Sequence, residues 1–200
     1  MSSKDSIITT ASKFQKIIVE LGIGDGQLLQ NVVRRRQSPD TCYVGIEIDS
    51  KQVQIARQKL REKNVYLINE SFEKVVLCFP DNYVDEFIFV LPSPDYIDKS
   101  KESRWSLFYR DIFTKLKENG SLLIVTEIIN DLLEPVTDYE FKIWKNWLIG
   151  KFISFGFIIK ETYDDSPKYF RSRYLEQFRG DKSRIKIVTL ILTKPHSLSN

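Results

Sequence analysis

Apolar residues along the chain fall into two kinds of run that alternate. Short continuous runs are typical of buried parallel strands, whereas apolar residues three and four apart are typical of helices that cover a sheet. The continuous runs predict seven strands, at residues 17–21, 42–48, 65–68, 84–91, 122–126, 157–163 and 185–192. The helical spacing predicts helices at 27–36, from Asp49 or Ser50 onward, at 103–117 and at 139–155, with a short helix or loop at 71–77.

Strands that alternate with helices imply βαβ crossovers and a mostly parallel sheet. We therefore predict an α/β, Rossmann-like fold. It has a seven-stranded, mostly parallel sheet, helices on both faces and an antiparallel last strand. Asn119 and the glycine after it are expected to end the helix before the fifth strand. The 200 residues form a single domain with an N-terminal extension (1–15), a basic and aromatic segment (164–184) and a polar tail (194–200).

Composition narrows the possible functions. The net charge of +3, from 30 basic and 27 acidic residues, permits a polyanionic partner without requiring one. His196 is the only histidine, which argues against Ser-His or Cys-His catalysis and against a histidine metal site; no metal is expected. Cys42 and Cys78 stand among apolar residues and are expected to be buried free thiols. Neither a secretory signal nor a membrane span is recognised, so we expect a soluble cytoplasmic protein.

The turn after the first predicted strand carries the strongest chemical signal. Glu20 lies near the end of the apolar run, and glycines at 22, 24 and 26 follow at every second position. Glycine-rich turns of this kind, between a strand and a helix, bring the backbone close to a bound nucleotide. An acid, Glu47, ends the second strand, where doubly wound sheets bind ribose hydroxyls. The glycine spacing differs from that of dinucleotide sites, and Glu20 would repel a pyrophosphate. Cationic S-adenosylmethionine is therefore favoured over NAD.

These residues resemble a known family. Glu-x-Gly-x-Gly-x-Gly followed by Gly45-Ile46-Glu47 is the pattern of class I S-adenosylmethionine-dependent methyltransferases. Further segments resemble the tRNA (guanine-N7)-methyltransferases in particular: Asn64-Val65, Asn69-Glu70, Phe79-Pro80-Asp81-Asn82, Leu91-Pro92-Ser93-Pro94-Asp95 and Ser172-Arg173-Tyr174-Leu175-Glu176-Gln177-Phe178. The resemblance covers most of the chain. It implies RNA, and tRNA in particular, as the substrate, and it leaves open a partner subunit or a homodimer.

The resemblance also implies a set of cofactor contacts. Glu20 and the glycine turn would face the methionine end of S-adenosylmethionine, and Glu47 would bind the ribose hydroxyls. Glu70, with Ser71 as the neighbouring candidate, would meet the adenine amino group. The complete predicted cofactor set is Glu20, Gly22, Gly24, Gly26, Glu47, Ile48, Glu70, Ser71 and Leu91.

On the substrate side the chain departs from the family pattern. The family has Pro-Asp-Pro-Trp after the fourth strand, and its aspartate lies between the methyl donor and the guanine. In the ungapped register that position is Ser93, whereas a shift of two residues makes it Asp95. Both stay open as catalytic candidates, and we prefer Asp95 because it restores the charge. The predicted substrate contacts are Lys99, Arg104, Glu127, Ser172, Tyr174 and Glu176.

The expected reaction suits a chain with one histidine. Guanine N7 has a lone pair and no proton, so its methylation is an in-line displacement that needs no strong base. Catalysis would be mainly positioning, with acids at 95, 127 or 176 accepting hydrogen bonds from guanine N1 and N2. Predicted phosphate contacts are Lys99, Lys101, Arg104, Lys168, Arg171, Arg173, Arg179, Lys182, Arg184 and Lys186.

Several alternatives stay open. A methyltransferase of the same fold can act on rRNA or on a small molecule, and a non-catalytic subunit can bind cofactor or RNA. The cations Arg34, Arg35 and Arg36 are interpreted as a solvated helix end rather than as RNA contacts.

Overall fold

A computed structural model describes residues 3–130 and 134–196. Within these ranges seven helices and seven strands alternate along the chain. The helices are α1 (Ser3–Ala11), α2 (Gln27–Arg36), α3 (Ser50–Lys59), α4 (Phe72–Cys78), α5 (Glu102–Lys115), α6 (Asp138–Ser154) and α7 (Arg173–Arg179). The strands are β1 (Lys16–Leu21), β2 (Thr41–Glu47), β3 (Val65–Asn69), β4 (Val84–Val90), β5 (Leu116–Ile129), β6 (Ile158–Tyr163) and β7 (Ile185–Thr193). Two 3₁₀ turns, Pro94–Tyr96 and Lys99–Lys101, connect β4 to α5.

The strands form one sheet in the order β3-β2-β1-β4-β5-β7-β6. β1 pairs in parallel with both β2 and β4, whereas β7 is antiparallel to its neighbours β5 and β6. The predicted mostly parallel, Rossmann-like sheet with an antiparallel last strand is confirmed. The strand order reverses beside β1, and open α/β sheets bind ligands at such a point, outside the carboxyl ends of the strands.

Each face of the sheet has its own apolar core, because successive side chains of a strand point to opposite faces. On one face Val19 of β1 belongs to a cluster with helices α4, α5 and α6, which includes the buried Trp105. On the other face Ile18 belongs to a cluster with helices α2, α3 and α7, which includes Leu29 and Leu175. The predicted arrangement of helices on both faces is therefore confirmed.

The start of β5 differs from the prediction. The strand begins at Leu116, directly after α5, so Asn119 and the following glycine lie inside β5 instead of ending the helix. Leu116 pairs with Val84 and Ser121 pairs with Glu86, so five steps along β5 match two along β4. Asn119 adopts a φ of 61° within the resulting bulge. Asn119 and the following glycine therefore lie in a β-bulge, where extra residues of β5 do not pair with β4.

The two free cysteines have different environments. Cys42 is buried in β2, as predicted, but Cys78 is exposed, so the prediction of two buried thiols is wrong for Cys78. The apolar run around Cys78 is helical rather than extended. Helical periodicity turns Val75, Val76 and Phe79 toward the core and leaves Cys78 on the outer side.

The arginines at the end of α2 are not all solvated. Arg34 and Arg35 are exposed, but Arg36 binds the buried carboxylate of Glu86 through two hydrogen bonds of 2.6 and 2.7 Å. The interpretation of all three cations as a solvated helix end is therefore wrong for Arg36. The partner lies on β4, fifty positions away in sequence, so helical charge patterning alone did not indicate it.

The ends of the chain are partly described. Ala11 of α1 is buried in the core, and the Tyr83 hydroxyl donates to the Ile8 carbonyl at 2.5 Å. His196 forms an ion pair with Glu118 if the imidazole is protonated. Residues 197–200 of the predicted tail lie outside the described residues. Across 3–130 and 134–196, no helix combines the length and apolarity that a membrane span requires.

Candidate functional site

An open cleft of about 750 Å³ lies at the carboxyl ends of β1, β2, β4 and β5. It occupies the point where the strand order reverses, which is the expected ligand position in this architecture. Helix α7 and its N-cap residue Ser172 form one wall. The predicted site residues that line the cleft are Glu20, Gly22, Gly24, Glu47, Leu91, Ser93, Glu127, Ser172 and Tyr174.

The glycine turn between β1 and α2 forms the floor of the cleft. Gly22, Gly24 and Gly26 have φ values of 72°, 52° and 77°, a region that residues with a Cβ rarely adopt. A Cβ added at Gly22 or Gly24 would meet nothing within 4 Å, so this part of the backbone is open to a ligand. At Gly26 the added atom would lie 2.9 Å from the Cβ of Ala56. Gly26 therefore allows α2 and α3 to pack closely instead of bordering the cleft.

Glu47 connects the glycine turn to the end of β2. Its Oε2 accepts the backbone N–H of Gly24 and its Oε1 accepts the backbone N–H of Asp49, both at 2.9 Å. Asp49 is the N-cap of α3 and accepts the N–H of Lys51 at 2.8 Å. Each oxygen of an ionised carboxylate can accept two hydrogen bonds. Glu47 therefore retains the capacity to accept hydrogen bonds from the hydroxyls of a ribose.

Glu20 presents a buried carboxylate to the cleft. Its side chain is 3% exposed, and its Oε2 has no hydrogen-bond partner among the described residues. Burial, and secondarily the charge of Asp25, raises the pKa of Glu20 well above its ordinary value. An unpaired buried charge is costly, and a cation bound beside it would offset that cost. The arrangement fits the positively charged methionine end of S-adenosylmethionine.

Glu127 presents a second buried carboxylate, on β5. It is 8% exposed, and its Oε2 also lacks a partner within the described part of the chain. Burial raises the pKa of Glu127 to about 7. Strand β4 separates β5 from β1, so Glu127 lies two strand spacings, or roughly 10 Å, across the sheet from Glu20. Glu20 is level with Ile88 of β4 and Leu123 of β5, so Glu127 also lies four residues, or roughly 13 Å, farther along the strand direction. The two acids are therefore too far apart to contact the same group of a ligand.

The segment after β4 contains the two catalytic candidates, Ser93 and Asp95, and only one of them lines the cleft. Leu91 has a φ of 50°, which turns the chain sharply at the end of the strand. Ser93 then lies on the cleft wall and caps the first 3₁₀ turn. Asp95 is exposed and pairs with Lys101 at 2.5 Å, away from the cleft lining. Ser93 is thus the member of the pair that faces the cleft.

Other predicted residues lie away from the cleft lining. Ile48 is exposed, the Ser71 hydroxyl donates to Glu73, and the Glu176 carboxylate binds Arg179 at 2.8 Å. The described residues predicted for the site that do not line the cleft are Gly26, Ile48, Glu70, Ser71, Asp95, Lys99, Arg104 and Glu176.

Two of the lining residues that were not predicted for the site lie on α3. Gln52 and Ile55 line the cleft from α3. They follow the cap residue Asp49 at steps of three, so all three lie on one face of the helix. This spacing, counted from the cap residue Asp49, is the signal in the sequence that indicates them.

A family model identifies the chain. Residues 14–166 match the Methyltransf_4 model, whose description is "Putative methyltransferase". The chain belongs to this methyltransferase family. The predicted resemblance to class I S-adenosylmethionine-dependent methyltransferases, and to the tRNA (guanine-N7)-methyltransferases among them, is confirmed. The cofactor of this methyltransferase is S-adenosylmethionine.

Curated relatives give a more detailed comparison. A tRNA (guanine-N(7)-)-methyltransferase of Wolbachia pipientis wMel is 24% identical over 200 residues, covering 92% of this chain and 79% of that protein. One from Thermus thermophilus is 30% identical over 118 residues, covering 56% and 37% of the two chains. A bifunctional methyltransferase of Rickettsia typhi is 26% identical over 134 residues, which is 64% of this chain. The chain spans only about a quarter, 25%, of that protein's length.

Solved structures share the fold. The 16S rRNA methyltransferase KamB has a TM-score of 0.71 at 14% identity, covering 98% of this chain and 95% of that one. A 16S rRNA (adenine(1408)-N(1))-methyltransferase from Catenulisporales acidiphilia has a TM-score of 0.68 at 13% identity, covering 100% and 95%. At these identities the similarity establishes the Rossmann-like methyltransferase fold.

Proposed function

We propose that this methyltransferase acts on RNA and methylates N7 of a guanosine in tRNA. The observation that carries the proposal is Glu127, a buried carboxylate that faces the cleft from β5 and whose Oε2 has no hydrogen-bond partner among the described residues. Glu20 and the glycine turn lie on the other side of β4. The Wolbachia relative supports the proposal, because its similarity extends along 92% of the chain.

The cleft residues suit both ends of the cofactor. Glu20 would bind the cationic methionine end, and Glu47 would accept hydrogen bonds from the ribose hydroxyls. The volume of about 750 Å³ lies within the usual range for small-molecule sites. When bound, the cofactor supplies a methyl group on a positively charged sulfur, which a lone pair can attack directly. The chain therefore needs to position and orient the acceptor, and it needs no strong base.

Glu127 would select guanine over adenine. Guanine presents N1–H and N2–H donors on the edge that a carboxylate can bind, whereas adenine presents an acceptor at N1. A buried carboxylate that faces an acceptor would stay unpaired, and unpaired buried groups of this kind reject the wrong ligand strongly. Donors from guanine would also favour the ionised form of Glu127, opposing the effect of burial on its pKa.

Ser93 is the residue that we propose beside the reacting atoms. It lies on the cleft wall, so its hydroxyl can orient the base without moving the chain. Asp95 would first have to leave its ion pair with Lys101 and turn toward the cleft. The proposal therefore gives Ser93 the orienting role in the described conformation. A tRNA substrate also agrees with the predicted cytoplasmic location, which stays part of the proposal.

The direct test uses the isolated protein and tritium-labelled S-adenosylmethionine. Unmodified tRNA transcripts, purified rRNA and a small-molecule extract are offered separately, and labelled RNA is digested to nucleosides. We expect label in the tRNA, in 7-methylguanosine. Label in rRNA or in the small-molecule fraction alone would support the alternative substrates. Cofactor binding without label in any fraction would support a non-catalytic subunit.

A further inference from the structure

Arg35, in the last turn of α2, contacts the segment that precedes the cleft-lining residues of α7. The guanidinium carbon of Arg35 lies 4.3 Å from the centroid of the Tyr169 ring, a cation–π contact. Tyr169 packs edge-on against the buried Phe170, with ring centroids 4.8 Å apart, so the platform for the arginine is fixed. Arg35 itself is an exposed residue.

The same segment ends at the cleft. Arg173 lines the cleft wall beside Ser172 and Tyr174. Four residue steps separate Tyr169 from Arg173, so the two positions are at most about 14 Å apart. The segment 169–173 therefore connects the mouth of the cleft to the last turn of α2.

The described structure divides the predicted late phosphate contacts into two groups. In the first group each cation binds a carboxylate of the protein, which offsets its charge. This group contains Arg179, Lys182, Arg184 and Lys186. In the second group the cations are exposed and form no ion pair with any described residue. This group contains Lys168, Arg171 and Arg173.

We propose that Arg173, Arg171, Lys168 and Arg35 form a phosphate path for the RNA strand next to the target nucleotide. This inference rests on the proposed RNA substrate. The four uncompensated cations match a polyanion, and the stretch of at most about 14 Å between Tyr169 and Arg173 corresponds to up to about four nucleotides of a strand. Tyr174, 67% exposed at the cleft mouth, offers a ring on which a neighbouring base stacks.

Arg35 is the new element in this path. A cation at the exposed end of a helix is ordinarily mobile, and holding it still costs side-chain entropy. The contact with Tyr169 holds the guanidinium in place before RNA arrives, while its planar N–H fork stays free for a phosphate. Arg35 therefore extends the path beyond the segment that the sequence indicated, onto a second element of the fold.

Arg34 provides a matched control. It is the neighbour of Arg35 on α2, it is equally charged and exposed, and it forms no ion pair within the described residues. Its side chain faces a separate depression that Glu62 and Asn64 also line. The two arginines therefore differ in which surface they serve.

The test measures equilibrium binding of an unmodified tRNA transcript, without catalysis, between about 50 and 200 mM salt. Each phosphate contact that is lost lowers the slope of log affinity against log salt by about 0.7–0.9. We expect this loss for R35A, R171A and R173A, and a slope near that of the wild type for R34A. R35K keeps the charge and is expected to retain most of the slope. Calorimetry should show unchanged S-adenosylmethionine affinity for R35A.

The outcomes separate this inference from the proposed function. A wild-type slope for R35A, or an equal loss for R34A, would overturn the path even if the protein methylates tRNA. If no RNA accepts label from the wild-type protein, the proposed function fails whatever the slopes are. Equal competition by a polyglutamate peptide of the same charge would show that the surface does not select RNA, which also overturns the path.

Discussion

The Oε2 atom of Glu47 accepts the backbone N–H of Gly24 at 2.9 Å, so the acid of β2 fixes the turn that follows β1. The two strands are parallel neighbours, and their carboxyl ends lie side by side. One side chain therefore has two tasks. It holds the glycine turn in its left-handed conformation, and it remains able to accept hydrogen bonds from the ribose of the cofactor.

Replacing Glu47 should weaken cofactor binding by more than one hydrogen bond is worth. Hydrogen bonds to a charged group contribute about 1.5–3 kcal/mol. Glu47→Ala loses the anchor of the turn together with the ribose contact, so we expect about a 100-fold or larger loss of S-adenosylmethionine affinity by calorimetry. Glu47→Gln can satisfy only one of the two backbone donors and should be intermediate. Unchanged affinity for Glu47→Ala would place the ribose elsewhere.

Replacing Gly24 and Gly26 by alanine, one at a time, should separate the effect on cofactor affinity from the effect on the stability of the fold. Both Gly24 and Gly26 have positive φ, so each substitution carries a strain of about 1 kcal/mol. In Gly26→Ala the new Cβ also lies 2.9 Å from that of Ala56, which should add about 1–3 kcal/mol of overpacking.

The Cβ of Gly24→Ala points into open space that the cofactor is expected to use. Thermal unfolding should therefore show the larger loss for Gly26→Ala. Calorimetry should show the larger loss of cofactor affinity for Gly24→Ala. The reverse pattern would mean that Gly24 does not border the ligand.

Glu127 should make the free protein less stable as the pH rises. Its pKa is raised from 4.5 to about 7 by burial, so between these values the folded protein holds a proton that the unfolded chain releases. The free energy of unfolding then falls with increasing pH across this window, by about 3 kcal/mol in total.

Glu127→Gln stays neutral and should lose this dependence. We expect it to be more stable than the wild type at pH 8, by up to about 3 kcal/mol, and nearly equal to it at pH 4. Urea unfolding at the two pH values measures the difference. Parallel pH profiles for the two proteins would show that Glu127 is not held in a desolvated state.

The Arg36–Glu86 pair should be a large contribution to stability. Glu86 is 7% exposed, and removing Arg36 leaves its buried charge with only the more distant Lys16, whose Nζ lies 3.9 Å from Oε2. Arg36→Ala should therefore cost about 3–5 kcal/mol in urea unfolding. Arg34→Ala, two positions away and exposed, should change stability by less than about 0.5 kcal/mol. The double variant Arg36→Ala/Glu86→Gln should recover part of the lost stability, because glutamine removes the buried charge. If it recovers none, the buried charge of Glu86 is not the cause of the loss.

Local patterns predicted most of the fold. Apart from the ends of β5, continuous apolar runs located every strand within a residue or two, because burial on both faces of a parallel sheet leaves few polar positions in the central strands. The beginning of β5 was missed, because a bulge depends on the register with β4 rather than on the residues of the turn. Cys78 was misplaced because an apolar neighbourhood in the sequence does not show which side chains of a short helix face the core.

The cofactor side of the site could be predicted from the sequence, because its residues follow two adjacent strands. Glu20, the glycines and Glu47 lie at the ends of two adjacent strands, so their spacing in sequence reflects their proximity in the fold. Ser93 and Asp95 could not be separated, because the choice depends on how the chain turns after Leu91. Arg35 takes its place through a contact with Tyr169, on a segment distant in sequence, and such packing leaves little trace in a single sequence.

The most direct measurement of the central claim is nucleoside mass spectrometry after reaction with trideuteromethyl-labelled S-adenosylmethionine. The protein is incubated with an unmodified tRNA transcript, and the RNA is then digested. We predict 7-methylguanosine that carries three deuterium atoms, with a strongly reduced yield for Glu47→Ala. Guanine-N7 methylation would be contradicted if the protein binds the cofactor but the deuterium appears in a different nucleoside or in none.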